Sequence, residues 1–348
     1  MDPLTLFLLG VILLLALILP IWHARIEHNL EFFLLVMGVS AVSVTHQWSP
    51  HLTGEALKEP LPITAAVLVF GLGFQAARNI LRKKLEALVR AVGRPAFAFL
   101  VVAGLGLLSS LITAIIAALV LVEIVSTLQL NRKSEIRLVV LACFSIGLGA
   151  ALTPLGEPLS TIVIGKLRGE PYHADFWFLS RLLGSHVMVW IAVLSGLAAF
   201  IHPRDEIHGS LSQEKSESLG DILMRTGRVY VFVAALVLLG TGFQPAIDRY
   251  VLPLPSAGLY WINTISAVLD NATLAAAEIS PKMAEGQMTS ALMSLLIAGG
   301  MLIPGNIPNI IAAHKLKITS REWAAHGAPL GGAMLLGCFI WMFVWPGG

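Results

Sequence analysis

The stretch TPLGEP, residues 153–158, interrupts an apolar run that extends over Ile136–Leu167. Two prolines and a glycine cannot continue an α-helix without freeing backbone hydrogen-bonding groups, and the hydrocarbon core of a bilayer offers no water to satisfy them. The stretch therefore predicts a membrane-spanning helix that is unwound in its middle, with Glu157 at the break.

The composition around this stretch is that of a membrane protein. Of the 348 residues, 56% are hydrophobic and 13% are charged, whereas an ordinary soluble domain carries about 25% charged residues. The apolar residues also occur in blocks, which excludes a soluble enzyme, a nucleic-acid-binding protein and a disordered chain. Cys143 and Cys338 both lie in apolar runs, so neither a disulfide framework nor a thiolate metal site is expected. We predict an all-α polytopic membrane protein that is not an enzyme and has no cofactor.

Three further apolar runs are interrupted. Pro95–Gln129 is predicted to be a re-entrant hairpin with its break at small residues from Gly104 onward and its tip near Ser109–Thr113. Ser256–Ile279 is broken at Asp270-Asn271, and Met288–His314 is broken at PGNIPN, residues 304–309. Since a span needs roughly 20 apolar residues, unbroken spans are predicted over Leu4–Ile21, Leu30–Trp48, Leu61–Ala77, Phe176–Ile201, Val229–Phe243 and His326–Trp345. Asn79–Val92 is predicted to be an amphipathic helix on the membrane surface.

The breaks recur in the same order in both halves of the chain, which predicts an internal repeat. GLGFQ at 71–75 matches GTGFQ at 240–244, and LGEPLS at 155–160 aligns with PGNIPN at 304–309. The predicted organisation is two N-terminal helices in 1–55, repeat 1 in 56–201, a polar linker in 202–220 and repeat 2 in 221–348.

The basic residues predict that the repeats are inverted. If Arg78–Arg94 is cytoplasmic, most of the 23 lysines and arginines fall on the cytoplasmic side, as the positive-inside rule requires. Leu61–Ala77 then runs inward and Val229–Phe243 outward, the N-terminus lies outside, and the linker 202–220 is cytoplasmic. Inverted repeats with paired broken helices are typical of secondary transporters, whose substrate site lies where the breaks meet. A multi-pass protein of a prokaryotic inner membrane is expected.

Two carboxylates at the breaks indicate the charge of the ligand. Asp270 and Glu157 would be costly inside a membrane without a function, and their oxygens suit Na⁺ as they suit other hard cations. Protons and cations compete for such carboxylates, so the sequence predicts Na⁺ and H⁺ binding at Asp270 and Glu157. The remaining candidate ligands are Asn271, Asn306, Asn309, Thr153, Ser160, Thr273, Ser110 and Thr113. Glu123 is a candidate proton relay.

Structural roles for these residues stay open. Asp270 can cap the second hairpin helix, Glu157 can face a water-filled vestibule, and the asparagines can satisfy freed backbone groups. Glu278 is expected to be solvated near a membrane face. Arg181 either snorkels toward the interface or pairs with a carboxylate or an anionic substrate. Three histidines can relay protons or bond to a neighbour: His186, His314 and His326.

Two break motifs resemble those of a known transporter family. GAALTPLGE at 149–157 resembles the glycine-small-small-x-T-P-I-G-D break of NhaD-type sodium/proton antiporters, with Glu157 in place of the aspartate. SAVLDN at 266–271 is similar to the S-A-V-V-D-N hairpin tip of the same family. The wider resemblance, from Leu61 to the C-terminus, is to the ion transporter superfamily and its predicted cation transporters of unknown function. It implies a homodimer, an elevator-like or rocking motion, and cation or cation-coupled transport.

Two other motifs depart from that family. SSLIT at 109–113 stands where NhaD-type proteins carry another aspartate-asparagine pair, and GNIPN at 305–309 is closer to superfamily members that carry anions with sodium. Sodium/proton antiport is the predicted function, with sodium-coupled symport of a small anion as the alternative and a channel-like or scaffold protein as a third class. The expected partners are Na⁺, H⁺, membrane lipid and a second copy of the chain, without nucleic acid.

Overall fold

The computed structural model describes most of the chain. The described residues are 2–27, 29–61, 64–65, 68–69, 72–73, 91–128, 130–201, 219–246, 249–250, 254–269 and 271–344. The predicted span Leu61–Ala77 is therefore described only in part. Residues 79–90 of the predicted surface helix, residues 202–218 of the linker, and Asp270 lie outside the described residues.

Every regular element within these ranges is helical. The α-helices are α1 Pro3–Trp22, α2 Ala24–Glu27, α3 Leu30–Val44, α4 Pro50–Lys58, α5 Arg94–Ile112, α6 Ala114–Leu128, α7 Arg132–Ala150, α8 Pro158–Leu167, α9 Phe178–Ala199, α10 Leu219–Ala246, α11 Ser256–Ile262, α12 Asn271–Glu278, α13 Glu285–Gly299, α14 Ile307–Leu316 and α15 Ser320–Phe339. Short 3₁₀ helices cover Asn263–Ala267 and Ile303–Gly305, and a π-helical turn follows at Ile340–Val344.

Five of the described helices are long and apolar enough to cross a membrane. They are Pro3–Pro20, Arg94–Ile112, Phe178–Ala199, Ile222–Ala246 and Ser320–Val344. Together with the absence of strands from the described ranges, they confirm the prediction of an all-α polytopic membrane protein.

The helices stop at or near the predicted breaks. α7 ends at Ala150 and α8 begins at Pro158, while α13 ends at Gly299 and α14 begins at Ile307. α5 and α6 are separated by Thr113, whose positive φ of 76° turns the chain sharply.

Three boundaries differ from the prediction. The small residues from Gly104 to Ser110, predicted to belong to the first hairpin's break, lie inside α5. The second hairpin departs from α-helix after Ile262, eight residues before the predicted break. α10 begins at Leu219, inside the predicted linker. The sequence did not indicate this start because the first turns of α10 contain polar residues and do not resemble a membrane span.

The small residues of α5 serve helix packing. A Cβ on Gly149 of α7 would overlap the carbonyl of Gly106, so the two backbones are in direct contact. Ser109 Oγ donates across this contact to Ile146 O at 3.0 Å, and Ser145 Oγ donates to Val102 O at 2.9 Å. Close backbone approach and interhelical hydroxyl bonds are the usual means of holding helices together in lipid.

The hairpins and broken helices pack reciprocally. α6, the second arm of the first hairpin, packs on α14, and α12, the second arm of the second hairpin, packs on α8. Each hairpin thus contacts the broken helix of the other half of the chain. The inverted orientation of the two halves stays a prediction.

The N-terminal helices pack on the second half of the chain. α3 lies along α10, where a Cβ on Gly242 would come within 2.5 Å of Ala41 Cβ. Glu31 of α3 is fully buried, and its Oε1 lies 3.4 Å from Nε of Arg228 on α10. These contacts join α3 to α10 by close packing and by an ion pair.

Arg132 joins three helix ends on one side of the bundle. From the start of α7, its Nε and Nη2 donate to the two carboxylate oxygens of Glu322 at 2.9 and 2.8 Å. Its Nη1 and Nη2 also donate to the carbonyls of Leu316 and Lys317 at the end of α14, at 2.9 and 2.7 Å. We call this group the Arg132 clamp.

Candidate functional site

The first break is the loop 151–157 between α7 and α8. Glu157 is the N-cap residue of α8, with extended backbone (φ −155°, ψ 161°), and it is 7% exposed. A Cβ on the preceding Gly156 would overlap the Ala150 carbonyl, so the loop passes too close to α7 for any other residue. Gly156 O accepts a hydrogen bond of 2.9 Å from the amide of Ala114, the first residue of α6. The loop that presents Glu157 is therefore bonded to the turn of the first hairpin.

Hydroxyl side chains brace this break. Thr153 Oγ1 donates to the carbonyl of Ser110, and Ser160 Oγ donates to Ala151 O at 3.0 Å. Ser110 Oγ donates to Leu107 O at 2.8 Å, while Thr113 Oγ1 accepts from Ile116 N at 3.3 Å. All four predicted ligands bond to backbone groups, which gives each of them a scaffolding role.

The second break, residues 300–306, presents Asn306 as the first presents Glu157. Asn306 is the N-cap residue of α14, with nearly the same backbone angles (φ −154°, ψ 147°), and it is 5% exposed. A Cβ on Gly147 of α7 would lie 2.7 Å from its Nδ2. Since Gly147 is one helical turn before the first break, Asn306 lies beside the helix end that leads to Glu157.

Two more asparagines converge on the end of α13. Asn309 Nδ2 donates to Gly299 O and Leu302 O, both at 2.9 Å, while Asn271 Nδ2 would lie 3.7 Å from a Cβ on Gly299. Both side chains are buried. Asn309 Oδ1 and Asn271 Nδ2 are buried atoms for which the described residues supply no hydrogen-bond partner.

The structure therefore brings four predicted residues, Glu157, Asn306, Asn309 and Asn271, to the two breaks. Asp270 and the side chain of Thr273 lie outside what the structure describes, so the Asp270–Glu157 pair stays a prediction. No group of three or more His, Cys, Asp and Glu among the described residues is arranged to hold a metal ion. A cation at the breaks would accordingly rely on amide and carbonyl oxygens beside a carboxylate.

The other predicted polar residues lie away from the breaks. Glu123 is buried in α6, about 15 Å along the helix from Thr113. Arg181 is exposed, and its Nη2 and Nη1 donate to Asp175 at 2.9 and 3.2 Å. This bond holds the pKa of the Asp175 carboxyl below its usual value. Arg181 therefore pairs with a surface carboxylate rather than with Glu157.

The histidines have ordinary neighbours. The His186 ring lies 4.3 Å from the Trp341 ring, the His314 ring meets Phe232 edge-on, and His326 Nδ1 lies 3.0 Å from Glu322 O. None of these contacts places a histidine at a break.

The expectation that Glu278 is solvated is wrong. Glu278 is 3% exposed and accepts a hydrogen bond of 3.0 Å from Nδ2 of Asn263. It was missed because α12 ends at this residue and a polar loop follows, whereas the groups that bury it are distant in sequence. The sequence feature that could have indicated a buried polar partner is Asn263, an amide side chain inside the apolar run Ser256–Ile279.

The helices and breaks define the chain as a polytopic α-helical membrane protein whose interior carries buried carboxylate and amide groups. The chain belongs to the family described as "Protein of unknown function (DUF1646)", which matches residues 6–345. No curated protein matches the chain.

Proposed function

We propose that the protein is a secondary active transporter of a small cation, and that it exchanges Na⁺ for H⁺. The observation that carries the proposal is the matched pair of breaks. Glu157 and Asn306 are buried N-cap residues with nearly the same backbone conformation, and the end of α7 leads to the first break and lies beside Asn306 of the second. Buried, unwound backbone at facing helix breaks is the architecture in which transporters bind ions.

The chemistry at the breaks favours a cation. Hard cations such as Na⁺ take carboxylate and neutral oxygen atoms as ligands. Glu157 supplies a carboxylate, and the buried Oδ1 of Asn309 supplies a neutral oxygen of the kind that hard cations prefer. A proton and a Na⁺ ion each neutralise the same carboxylate, so binding of one excludes the other. This competition couples the two fluxes.

The bonds between hairpin and break suggest how the site changes access. Because Ala114 N and the carbonyl of Ser110 are both bonded to the first break, the hairpin turn and the break loop move as one unit. The reciprocal packing of α6 on α14 and of α12 on α8 supports two such units in the molecule. The resemblance to NhaD-type antiporters agrees with this mechanism.

One observation favours a second candidate, sodium-coupled symport of a small anion. The N-termini of α8 and α14 both lie at breaks, and helix N-termini attract anions. The buried Nδ2 of Asn271 is a donor that the described residues leave without an acceptor. In this case Glu157 would hold Na⁺ and these donors would hold the anion.

Proteoliposomes with an internal pH dye distinguish the two. With an inward Na⁺ gradient and chloride as the anion, antiport is expected to raise the internal pH saturably. Glu157→Gln is expected to abolish the change, while Glu285→Gln, at an exposed glutamate, is expected to leave it intact. A constant internal pH, with a labelled anion accumulating only when Na⁺ is present, would refute antiport and support symport.

A further inference from the structure

A second group of buried polar side chains lies outside both breaks, at the far end of α12. Asn263 Nδ2 donates to Glu278 Oε2 at 3.0 Å and lies 3.0 Å from Ser294 Oγ. Asn263 and Ser294 are fully buried, and Glu278 nearly so. Glu278 is seven residues after Asn271, which places it about 10 Å along α12 from that asparagine. We call these three residues the Glu278 cluster.

Two oxygen atoms of the cluster receive no hydrogen bond from the described part of the chain. Glu278 Oε1 and Asn263 Oδ1 are buried, and the described residues donate no hydrogen bond to either. A buried acceptor without a donor is unfavourable, and an ionised carboxylate that is buried without a cation is more so.

The charged groups that the structure describes on the neighbouring helices do not form an ion pair with Glu278. On α8, Lys166 Nζ donates to the carbonyl of Ile279 at 3.1 Å. On α10, Arg228 lies beside Glu31, and on α13, Glu285 is exposed. Within the described part of the chain, no basic group lies within ion-pairing distance of the Glu278 carboxylate. Among the described residues, the polar group that donates to this carboxylate is the amide of Asn263.

We propose that Glu278 binds an exchangeable proton on Oε1, in a site formed with Asn263 and Ser294. One proton removes the buried charge and turns Oε1 into a donor. The amide of Asn263 already donates to Oε2, and its Oδ1 is an acceptor to which the described residues donate no hydrogen bond. A protonated carboxyl therefore brings one donor into a cluster in which the described residues leave the Asn263 Oδ1 acceptor without one. Proton binding stands on this geometry, whereas a role of the proton in exchange rests on the proposed function.

Infrared difference spectroscopy of the purified full-length protein in lipid nanodiscs tests the assignment. The wild-type protein is expected to show, near neutral pH, a carbonyl band of a protonated carboxylic acid that shifts in deuterated buffer and disappears reversibly at alkaline pH. Glu278→Gln, which retains the shape and the bonding pattern of the protonated acid, is expected to lose this band. The matched Glu285→Gln variant is expected to keep it.

A second variant covers the case in which Glu278→Gln fails to fold. Asn263→Ala removes the donor to Oε2 and is expected to move the carbonyl band to higher frequency, because a hydrogen bond weakens the C=O stretch. A wild-type spectrum without the band, or a band that neither variant changes, would overturn the assignment. Transport is measured separately in proteoliposomes. If the carbonyl band is present but Na⁺ does not change the internal pH, only the antiport proposal is refuted. If Na⁺ changes the internal pH but the band is absent, only the assignment of a proton to Glu278 is refuted.

Discussion

Glu157 and Asn306 show how one backbone conformation can present two different side chains. Both precede a proline-containing first turn, both have extended backbone, and both are buried. Three residues later, Ser160 and Asn309 each donate to a carbonyl at or near the end of the preceding half-helix. The breaks thus share a scaffold, and the residue that differs in charge is the one at the N-cap.

Exchanging the two N-cap residues tests whether the breaks are equivalent. Glu157→Asn alone is expected to abolish Na⁺-driven pH change in proteoliposomes. Adding Asn306→Glu returns one carboxylate to the site and is expected to restore part of the flux, since the backbone that holds it is the same. A double variant as inactive as the single one would show that the carboxylate is required at Glu157 itself.

Replacing Gly156 is expected to destabilise the folded protein. A Cβ at this position overlaps the Ala150 carbonyl, so Gly156→Ala is expected to lower the free energy of unfolding by about 1–3 kcal/mol. The control is Gly165→Ala in α8, where a Cβ meets nothing within 4 Å and which replaces a poor helix former with a good one. Thermal unfolding of the two purified variants measures the difference. Equal melting temperatures would contradict the close approach of the loop to α7.

At the scale of elements, the breaks could be predicted from sequence because their cause is local. The prolines of 153–158 and 304–309 lack the amide hydrogen that a helix interior requires, and the glycines are poor helix formers, so each stretch interrupts a helix locally. The boundaries of α5 could not be predicted, since Gly106 and Ser109 are used by tertiary packing on α7 rather than by a turn. A small residue in a sequence is compatible with a close helix contact and with a helix break. Only the residues that pack against it in the folded protein distinguish the two.

The Arg132 clamp is expected to stabilise the ends of α7, α14 and α15 together. Arg132→Gln removes the bidentate contact with Glu322 and the bonds to the last carbonyls of α14, so the melting temperature is expected to fall by several degrees. Lys133→Gln, at the exposed neighbouring residue, removes the same charge without these bonds and is expected to have little effect. Similar losses in both variants would assign the effect to net charge instead.

At the scale of the whole molecule, the reciprocal packing of hairpins on broken helices joins residues that are far apart in sequence. Sequence motifs indicated which elements correspond, but not that α6 contacts α14 or that α12 contacts α8. Glu278 shows the same limit at a single site, because Asn263 and Ser294 reach it from different elements. The sequence argument for a cation relied most on Asp270, which lies outside the described residues, so its role in binding stays a prediction.

The predicted orientation in the membrane can be tested by labelling introduced cysteines, because the two native cysteines are expected to react little. Cys143 and Cys338 are buried, so the wild-type protein is expected to react little with a membrane-impermeant maleimide. Ser210→Cys, in the predicted cytoplasmic linker, should react in inside-out vesicles, and Glu170→Cys, between α8 and α9, should react in right-side-out vesicles. Labelling of both residues from the same side would refute the predicted topology and with it the inverted repeat.

The hydrogen bond from the Ala114 amide to Gly156 O also has a kinetic consequence. An amide exchanges its hydrogen for deuterium only while its bond is open, and this bond opens only when the hairpin turn separates from the first break. The exchange rate of the Ala114 amide therefore measures how often the hairpin turn separates from the first break, and no label has to be attached to the chain. A slow rate at Ala114 that is the same with and without Na⁺ would agree with the hairpin turn and the break moving as one unit, whereas a Na⁺-dependent rate, beside a constant rate in the middle of α9, would show that the two separate during transport.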